Sequence, residues 1–234
     1  GLNFRGCSGV PNLISRAYHS GETEDLKFIT HLLKKRYPER PIMALGFSLG
    51  GNVLLKFLAE TGDELISSAA VVSVPYDLSA GVDCLENDVM ARIYTMYFMR
   101  SLIGKIRVKR DILKGIIDIE SLSEDTTIKE FDEIVTAPLH GFANAADYYS
   151  KSSSNQFISS IIVPCLFVHS SDDPFLPPDK VPKKEIYSNP NLQLLLTDQG
   201  GHVGFIEGSH PNNFVFWAEE QVSKFLRHCS EFNG

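Results

Sequence analysis

The strongest constraint on the fold is a set of four short apolar segments that contain no alternating polar residues. They are Ile42–Leu45, Ala69–Val74, Cys165–His169 and Gln193–Leu196. A strand that is buried on both faces lacks polar alternation, which is typical of a parallel sheet covered by helices on each side. Helical patterns separate the segments, so the sequence predicts an α/β fold with a mainly parallel sheet.

Three amphipathic helices are predicted beside these strands, over Glu22–Arg36, Gly50–Glu60 and Pro211–Arg227. Ser20 is placed to cap the first helix, and Gly62 is expected to end the second. The expected buried stripe of the first helix is Leu26, Ile29, Leu32 and Leu33. The expected stripe of the last helix is Phe214, Trp217, Ala218, Val222, Phe225 and Leu226.

Between Tyr76 and Asn155 the strand pattern stops, and Met, Tyr and Phe crowd the stretch from Asp88 to Ile106. We predict that residues 76–155 form a helical cap insertion. The whole chain, residues 1–234, is then a single α/β domain, since this length allows one well-buried core and does not require two.

Composition narrows the function classes. The net charge of −7 argues against nucleic acid as a partner, because neutralising phosphates needs a basic surface. The cysteines Cys7, Cys84, Cys165 and Cys229 are far apart, which favours free thiols in a reducing, cytoplasmic compartment. No signal peptide opens the chain, and no apolar run reaches the ~18 residues of a membrane span.

The motif that carries chemistry is Gly46-Phe47-Ser48-Leu49-Gly50, which matches the pattern G-x-S-x-G. It lies between a predicted strand and a predicted helix. A sharp turn there forces the serine to a positive φ and exposes its hydroxyl, and the flanking glycines are expected to avoid collisions with the backbone. The amide of Leu49 is placed to bind an oxyanion. The alternative is a Gly-Ser turn that only caps a helix.

A serine nucleophile needs a base and an acid that orients the base, and in this kind of fold they follow in the order Ser, Asp or Glu, His. Asp172 and Asp173 follow the strand Cys165–His169. We favour Asp173, because Asp173 and Pro177 fit an Asp-x-x-x-Pro spacing. The alternatives are Asp172 as the acid, or a solvated turn.

The predicted base is His202, which follows the last strand after Gly200 and Gly201. Two glycines allow the tight approach that brings an imidazole to the serine. The other six histidines lack such a context. A metal site built from His169, Asp172, Asp173 and His202 is a weaker alternative, because no pair of ligands has i, i+4 spacing. We expect no metal and no cofactor.

Several longer runs together resemble the AB hydrolase 4 family, the YheT-like esterases. They are residues 3–9 (NFRGCSG), 18–25 (YHSGETED), 46–52 (GFSLGGN) and 200–205 (GGHVGF), with 129–132, 136–137 and 147–149 resembling the family's insertion. The resemblance covers essentially the whole chain. It implies an α/β-hydrolase fold, hydrolysis of carboxylic esters with acyl lipids among the substrates, and catalysis by Ser48, Asp173 and His202.

One feature of the family is not found before Ser48. The resemblance implies upstream strands and a loop with a His-Gly-Leu-type sequence, which supplies the second oxyanion amide. We therefore expect a chain that is truncated at its N-terminus, with an incomplete oxyanion hole and an exposed apolar sheet edge.

The stretch Tyr94, Met96, Tyr97, Phe98, Met99, Leu102 and Ile103 has two interpretations. The favoured one is the core of the insertion. The other is a lid that lines an acyl-chain pocket or contacts a membrane, with Arg100, Lys105, Arg107, Lys109 and Arg110 on its polar side. A membrane contact through the missing upstream segment is a further alternative.

The sequence thus predicts a serine hydrolase of carboxylic esters whose partner is a small ester or an acyl lipid. Two rival functions remain open. An acyltransferase would use the same three residues, and a binding protein could keep the fold without catalysis.

Overall fold

A computed structural model describes residues 1–87, 89–208, 210 and 213–232. These residues cluster into two compact units. The sheet unit comprises Ser20–Asp77 and the chain from Ser153 onward, and the helical unit comprises Gly1–His19 and Leu78–Ser152. A single domain with residues 76–155 as its insertion stays a prediction.

The sheet unit is built on four parallel strands in the order β1-β2-β3-β4. Their bounds are Met43–Phe47 (β1), Ser68–Val72 (β2), Cys165–Ser170 (β3) and Leu192–Thr197 (β4). Each predicted strand is found within two residues of its expected bounds. The predicted α/β fold with a mainly parallel sheet is confirmed. A short antiparallel pair, Ile206–Glu207 (β5) and Val215–Phe216 (β6), follows.

Some helices alternate with the strands of the sheet unit, and others form the helical unit. Their bounds are Glu24–Arg36 (α1), Leu49–Thr61 (α2), Leu78–Asn87 (α3), Val89–Val108 (α4), Arg110–Leu113 (α5), Ile128–Phe131 (α6), Ala137–His140 (α7), Ala145–Ser152 (α8), Lys183–Ser188 (α9) and Trp217–Phe232 (α10). A π-helical turn at Asp132–Thr136 joins α6 to α7, and 3₁₀ turns lie at Ile119–Ser121, Ser154–Ser160 and Pro178–Lys180. No helix in the described part of the chain is long and apolar enough to cross a bilayer.

Helices cover both faces of the two central strands, β2 and β3. On one face, α2 and α9 pack against the odd-numbered residues Val71 and Phe167 through Leu58 and Ile186. On the other face, α10 packs against the even-numbered residues of β2 and β3. This two-sided burial explains why β2 and β3 show no polar alternation in the sequence.

The first helix differs from its prediction at both its cap and its stripe. It begins at Glu24 with Thr23 in the N-cap position, so the predicted cap at Ser20 is wrong. The carboxylate of Glu22 accepts a hydrogen bond from the Glu24 amide at 2.9 Å. Leu26 packs against the core, but Leu32 and Leu33 are exposed. The expected stripe is therefore wrong at these two residues, since only the N-terminal half of α1 reaches the core.

The last helix begins later than predicted. Pro211 lies outside the described residues, and α10 starts at Trp217. Val215 and Phe216 are paired with β5 instead, and Phe214 is exposed. Ala218 and Val222 are buried as predicted. Pairing between the two short strands therefore overrides the helical spacing of residues 214–216.

One edge of the parallel sheet presents apolar side chains to solvent. β1 is the outermost strand of this sheet on its side, and Met43, Leu45 and Phe47 are exposed. They alternate with Ala44, which packs against the core on the opposite face. The exposed apolar edge expected from the sequence is present.

The helical unit has its own core, which includes Met99, Ile103, Leu113 and Phe131. Of the aromatic-rich stretch on α4, Met99 and Ile103 are buried and Leu102 is partly buried. The favoured interpretation of the whole stretch as core is wrong at four residues. Tyr94, Met96, Tyr97 and Phe98 are all exposed, because α4 buries only the narrow face that carries Ala91, Thr95 and Met99.

Two adjacent glycines in α2 have different roles in packing this helix on the sheet. A Cβ on Gly51 would lie 2.5 Å from the Cγ2 atom of buried Val74, whereas a Cβ on Gly50 would meet nothing within 4 Å. The close approach of α2 to the chain after β2 therefore requires glycine at 51 and not at 50.

We expect Gly51→Ala to lower the free energy of unfolding by about 1–3 kcal/mol, because the added methyl overpacks the contact with Val74. Gly50→Ala is the matched control, and alanine in a helix should leave stability unchanged or raise it by about 0.5–1 kcal/mol. Urea unfolding monitored by circular dichroism measures both changes. Equal stabilities for the two variants would contradict this account of the helix–sheet contact.

Candidate active site

Ser48 occupies a strained turn between β1 and α2. Its backbone has φ 47° and ψ −121°, and its amide donates to the Val72 carbonyl at 2.8 Å. A positive φ is costly for any residue with a side chain and is retained where the surrounding structure enforces it. The predicted strained strand-to-helix turn is therefore present.

The glycines beside the serine are not equivalent. A Cβ on Gly46 would lie 2.7 Å from the Gly50 carbonyl oxygen and from the Gly51 Cα, so only glycine fits there. The expectation that both glycines of the motif avoid backbone collisions is right for Gly46 and wrong for Gly50. The second glycine that the packing requires is Gly51, which lies just outside the motif.

His202 lies in a tight turn after β4. Gly201 has φ 60°, and a Cβ on Gly200 would lie 2.6 Å from the Phe205 ring. The Phe205 amide donates to the Gly200 carbonyl at 2.9 Å and closes the turn. Both glycines before the histidine are therefore needed for the bend that turns His202 back over the sheet edge.

Asp173 lies just after β3, and its side chain is fully buried. Its Oδ1 atom accepts a hydrogen bond from the Phe175 amide at 2.9 Å, and its Oδ2 atom is 2.8 Å from His202 Nδ1. A buried carboxylate needs such donors to offset the loss of water. Of the two candidate acids, the structure brings Asp173 and not Asp172 to the imidazole.

The second imidazole nitrogen meets the serine. His202 Nε2 lies 2.9 Å from Ser48 Oγ. Because an ionised carboxylate can only accept hydrogen bonds, Nδ1 donates to Asp173 and Nε2 is left as the acceptor for the Ser48 hydroxyl. The three residues singled out from the sequence thus form one hydrogen-bonded series.

Asp172 is bonded to the turn that carries the histidine. Its Oδ1 accepts a hydrogen bond from the Gly201 amide at 2.8 Å and another from the Ser170 hydroxyl. These hydrogen bonds lower the pKa of the Asp172 carboxyl, the Ser170 hydroxyl having the larger effect. Asp172 therefore remains ionised and fixes the residue next to His202.

Two further residues contact or face this series. The Phe175 ring packs edge-on against the imidazole of His202, with 5.0 Å between ring centroids. His169 is completely buried in β3, and burial lowers its pKa below the usual range. A neutral His169 places no positive charge beside Asp173 and His202.

Three of the four residues considered for a metal site, Asp172, Asp173 and His202, take part in these hydrogen bonds. Asp173 binds His202, and Asp172 binds the Gly201 amide and the Ser170 hydroxyl. Within the part of the chain that the structure describes, no group of three or more His, Cys, Asp or Glu side chains is arranged to hold a metal ion.

The sequence pattern of the alpha/beta hydrolase fold matches residues 1–209. This chain belongs to the alpha/beta hydrolase fold family. It is 38% identical over 230 residues to "Putative esterase YheT" of Escherichia coli (strain K12), covering 96% of this chain and 66% of that protein. It is 33% identical over 237 residues to "Phospholipase ABHD3" of Bos taurus, covering 100% of this chain and 58% of that protein. These relatives confirm the resemblance drawn from the sequence.

The solved structure of an esterase has a similar fold. The esterase Pf2001 of Pyrococcus furiosus matches with a TM-score of 0.56 at 21% identity, over 97% of this chain and 67% of that chain. This likeness concerns the fold alone. The chain spans between half and two thirds of the length of the curated relatives named above.

Sequence reasoning missed two parts of this alpha/beta hydrolase site. It weighed Asp172 as a rival acid, as part of a solvated turn and as a metal ligand but not as the residue that binds the Gly201 amide, and it did not consider Phe175. The pair of adjacent carboxylates was the available signal for Asp172. However, which of two neighbouring side chains points inward depends on the backbone after β3, and no residue pattern encodes that direction.

We expect Asp172→Ala to accelerate hydrogen exchange at the Gly201 amide by about tenfold, because the variant removes the charged acceptor of that amide. Asp172→Asn keeps an acceptor oxygen and should restore most of the protection. NMR hydrogen exchange measures the effect, with exposed Asp198→Ala as a matched control. Unchanged exchange in Asp172→Ala would show that another group holds the turn.

Proposed function

We propose that this chain is a serine hydrolase of carboxylic esters that acts through an acyl-enzyme intermediate. The observation that carries the proposal is the series of hydrogen bonds from Ser48 to His202 to Asp173, at 2.9 and 2.8 Å. A serine hydroxyl is a weak nucleophile at neutral pH, and an adjacent, oriented base is what activates it. In the proposed mechanism, Ser48 is the nucleophile, His202 the base and Asp173 the acid that orients it.

The proposed reaction begins when His202 Nε2 takes the Ser48 proton as Oγ attacks the ester carbonyl carbon. Asp173 stabilises the imidazolium that forms. The imidazolium then gives its proton to the departing alcohol as the C–O bond breaks, which leaves an acyl-serine. A water molecule then attacks the carbonyl carbon of the acyl-serine, with His202 as the base that takes its proton. The bond to Ser48 Oγ breaks, the proton returns from His202 to Oγ, and the carboxylic acid leaves.

Leu49 is the proposed oxyanion donor. It is the first residue of α2, and the first N–H groups of a helix have no acceptor within the helix. The positive end of the helix dipole also favours negative charge at this position. The Leu49 amide can therefore donate to the oxygen that becomes negative as Ser48 attacks.

Acyl lipids are the proposed substrate class. Support comes from the relatives, one of which is named an esterase and the other a phospholipase. An acyltransferase would use the same acyl-serine but pass it to an alcohol or amine. Product analysis of a glycerolipid reaction, with and without an added alcohol, separates free acid from a new ester.

We expect Ser48→Ala to abolish labelling by a fluorophosphonate and to lower kcat for p-nitrophenyl esters by about 10⁴-fold or more, because the nucleophile is lost. The full-length protein should be assayed, with exposed Ser171→Ala as the matched serine control. Labelling of Ser48→Ala as strong as that of Ser171→Ala would show that the nucleophile lies elsewhere. If neither the parent nor the variants react, the non-catalytic alternative is favoured.

We further propose that α4 contacts an anionic membrane surface. Ile93, Tyr94, Met96, Tyr97 and Phe98 are exposed on this helix. Residues 89–110 contain six basic and no acidic residues, although the whole chain has a net charge of −7. Four of the six are exposed: Arg92, Arg100, Arg107 and Arg110. Exposed aromatic side chains with adjacent cations suit the interface between lipid headgroups and acyl chains.

We expect Tyr97→Glu to weaken binding to vesicles that contain phosphatidylserine by about tenfold, because a carboxylate would have to enter the apolar boundary. Tyr187→Glu makes the same change at an equally exposed tyrosine of α9 and should have no effect. Vesicle co-sedimentation at two salt concentrations measures both. Identical binding by the two variants would exclude α4 as the contact.

A further inference from the structure

A cavity of about 580 Å³ lies within the helical unit. Its walls come from residues 5–18, from α4 and from the chain between Phe131 and His140. This volume falls in the range of sites that enclose one small molecule. Its lining is mostly apolar, and the apolar wall, as we call these lining residues, includes Leu102, Ile106, Phe131, Val135 and Leu139.

The cavity lining also carries basic residues. Arg5, Lys105 and Lys109 all line the cavity, and no aspartate or glutamate is among its lining residues in the described part of the chain. The hydrogen bonds of Lys109 go to neutral acceptors, with distances of 3.1–3.2 Å to Asn12 Oδ1 and the carbonyl oxygens of Ser15 and Arg16. These bonds satisfy the ammonium donors but leave the positive charge in place.

Lys105 meets only weak partners in its described contacts. Its Nζ atom is 3.1 Å from Cys7 Sγ and lies over the Tyr18 ring, 5.6 Å from the ring centroid. Sulfur is a weak hydrogen-bond acceptor, and an aromatic face is a weak partner compared with an anion. A carboxylate or phosphate in the cavity would offer Lys105 a much stronger, charge-assisted bond.

Electrostatics favours the same kind of ligand. Burial lowers the pKa of Lys109, and the positive charge of Arg5 lowers it further. Like charges that are held together in a partly dehydrated site repel one another. An anion between them would relieve this repulsion, whereas a neutral ligand would not.

We propose that this cavity binds an amphiphile with one anionic head group, a carboxylate or a phosphate, with the head at Lys105 and Arg5 and the chain along the apolar wall. None of the lining residues is Ser48, Asp173 or His202. The proposal therefore stands independently of the proposed ester hydrolysis.

The test uses the full-length protein carrying Ser48→Ala, which prevents turnover of any ester probe. Binding of cis-parinaric acid, a fluorescent fatty acid, is compared with binding of its methyl ester. We expect the acid to bind at least about tenfold more tightly, because only the acid makes a charge-assisted bond. Palmitate and a lysophosphatidate are then compared as competitors, and the stronger competitor identifies the head group as carboxylate or phosphate.

Lys105→Gln should weaken binding of the acid by about tenfold and leave the methyl ester unchanged. Lys105→Arg should restore the affinity for the acid, which excludes a folding defect as the cause. Lys129→Gln is the matched control, since Lys129 is exposed and does not line the cavity.

Three outcomes would overturn the proposal. Equal affinities for the acid and its methyl ester would show that the cavity does not recognise an anionic head group. An unchanged affinity in Lys105→Gln, or no binding at all, would show that the cavity is not the site. Displacement of the probe by inorganic phosphate as effectively as by either lipid would indicate a simple anion site with no role for the apolar wall.

Discussion

The alignment of parallel strand ends is the constraint on which the candidate site depends. β1, β3 and β4 run in the same direction, so the turns that follow them meet at one edge of the sheet. Ser48, Asp173 and His202 lie one on each of these turns. Residues separated by 154 positions in the chain therefore come within hydrogen-bond distance, as is general for sites in open α/β sheets.

Two neighbouring carboxylates at this edge have separate tasks because their environments differ. Asp173 is buried, and its two oxygens accept from the Phe175 amide and from His202. Asp172 is exposed and binds the amide beside His202. Asp173 binds the imidazole of His202 directly, and Asp172 binds the backbone amide of the residue before His202.

Charge is distributed unevenly between the parts of this alpha/beta hydrolase. The chain as a whole is acidic, yet residues 89–110 of the helical unit are strongly basic. The arginines among these residues are exposed, as are the aromatic side chains of α4, whereas Lys105 and Lys109 line a cavity. An average over the chain conceals such a region, so the net charge, which argued against a nucleic-acid partner, did not indicate that part of the chain is basic.

Sequence alone determined the fold class, the strand positions, and Ser48 and His202 of the candidate site, and it favoured Asp173 over Asp172. Strands buried on both faces must be apolar throughout, and a serine on a sharp turn must be preceded by a glycine such as Gly46, so both leave direct marks in the residue pattern. Only the tertiary structure decided which of two adjacent aspartates meets His202, why Gly51 and not Gly50 is required, and which face of α4 is buried. Leu32 and Leu33 have the spacing of buried residues but are exposed, because spacing shows that a helix can bury a face and not whether a partner lies against it. Phe214 is exposed because it lies before α10 and outside any helix.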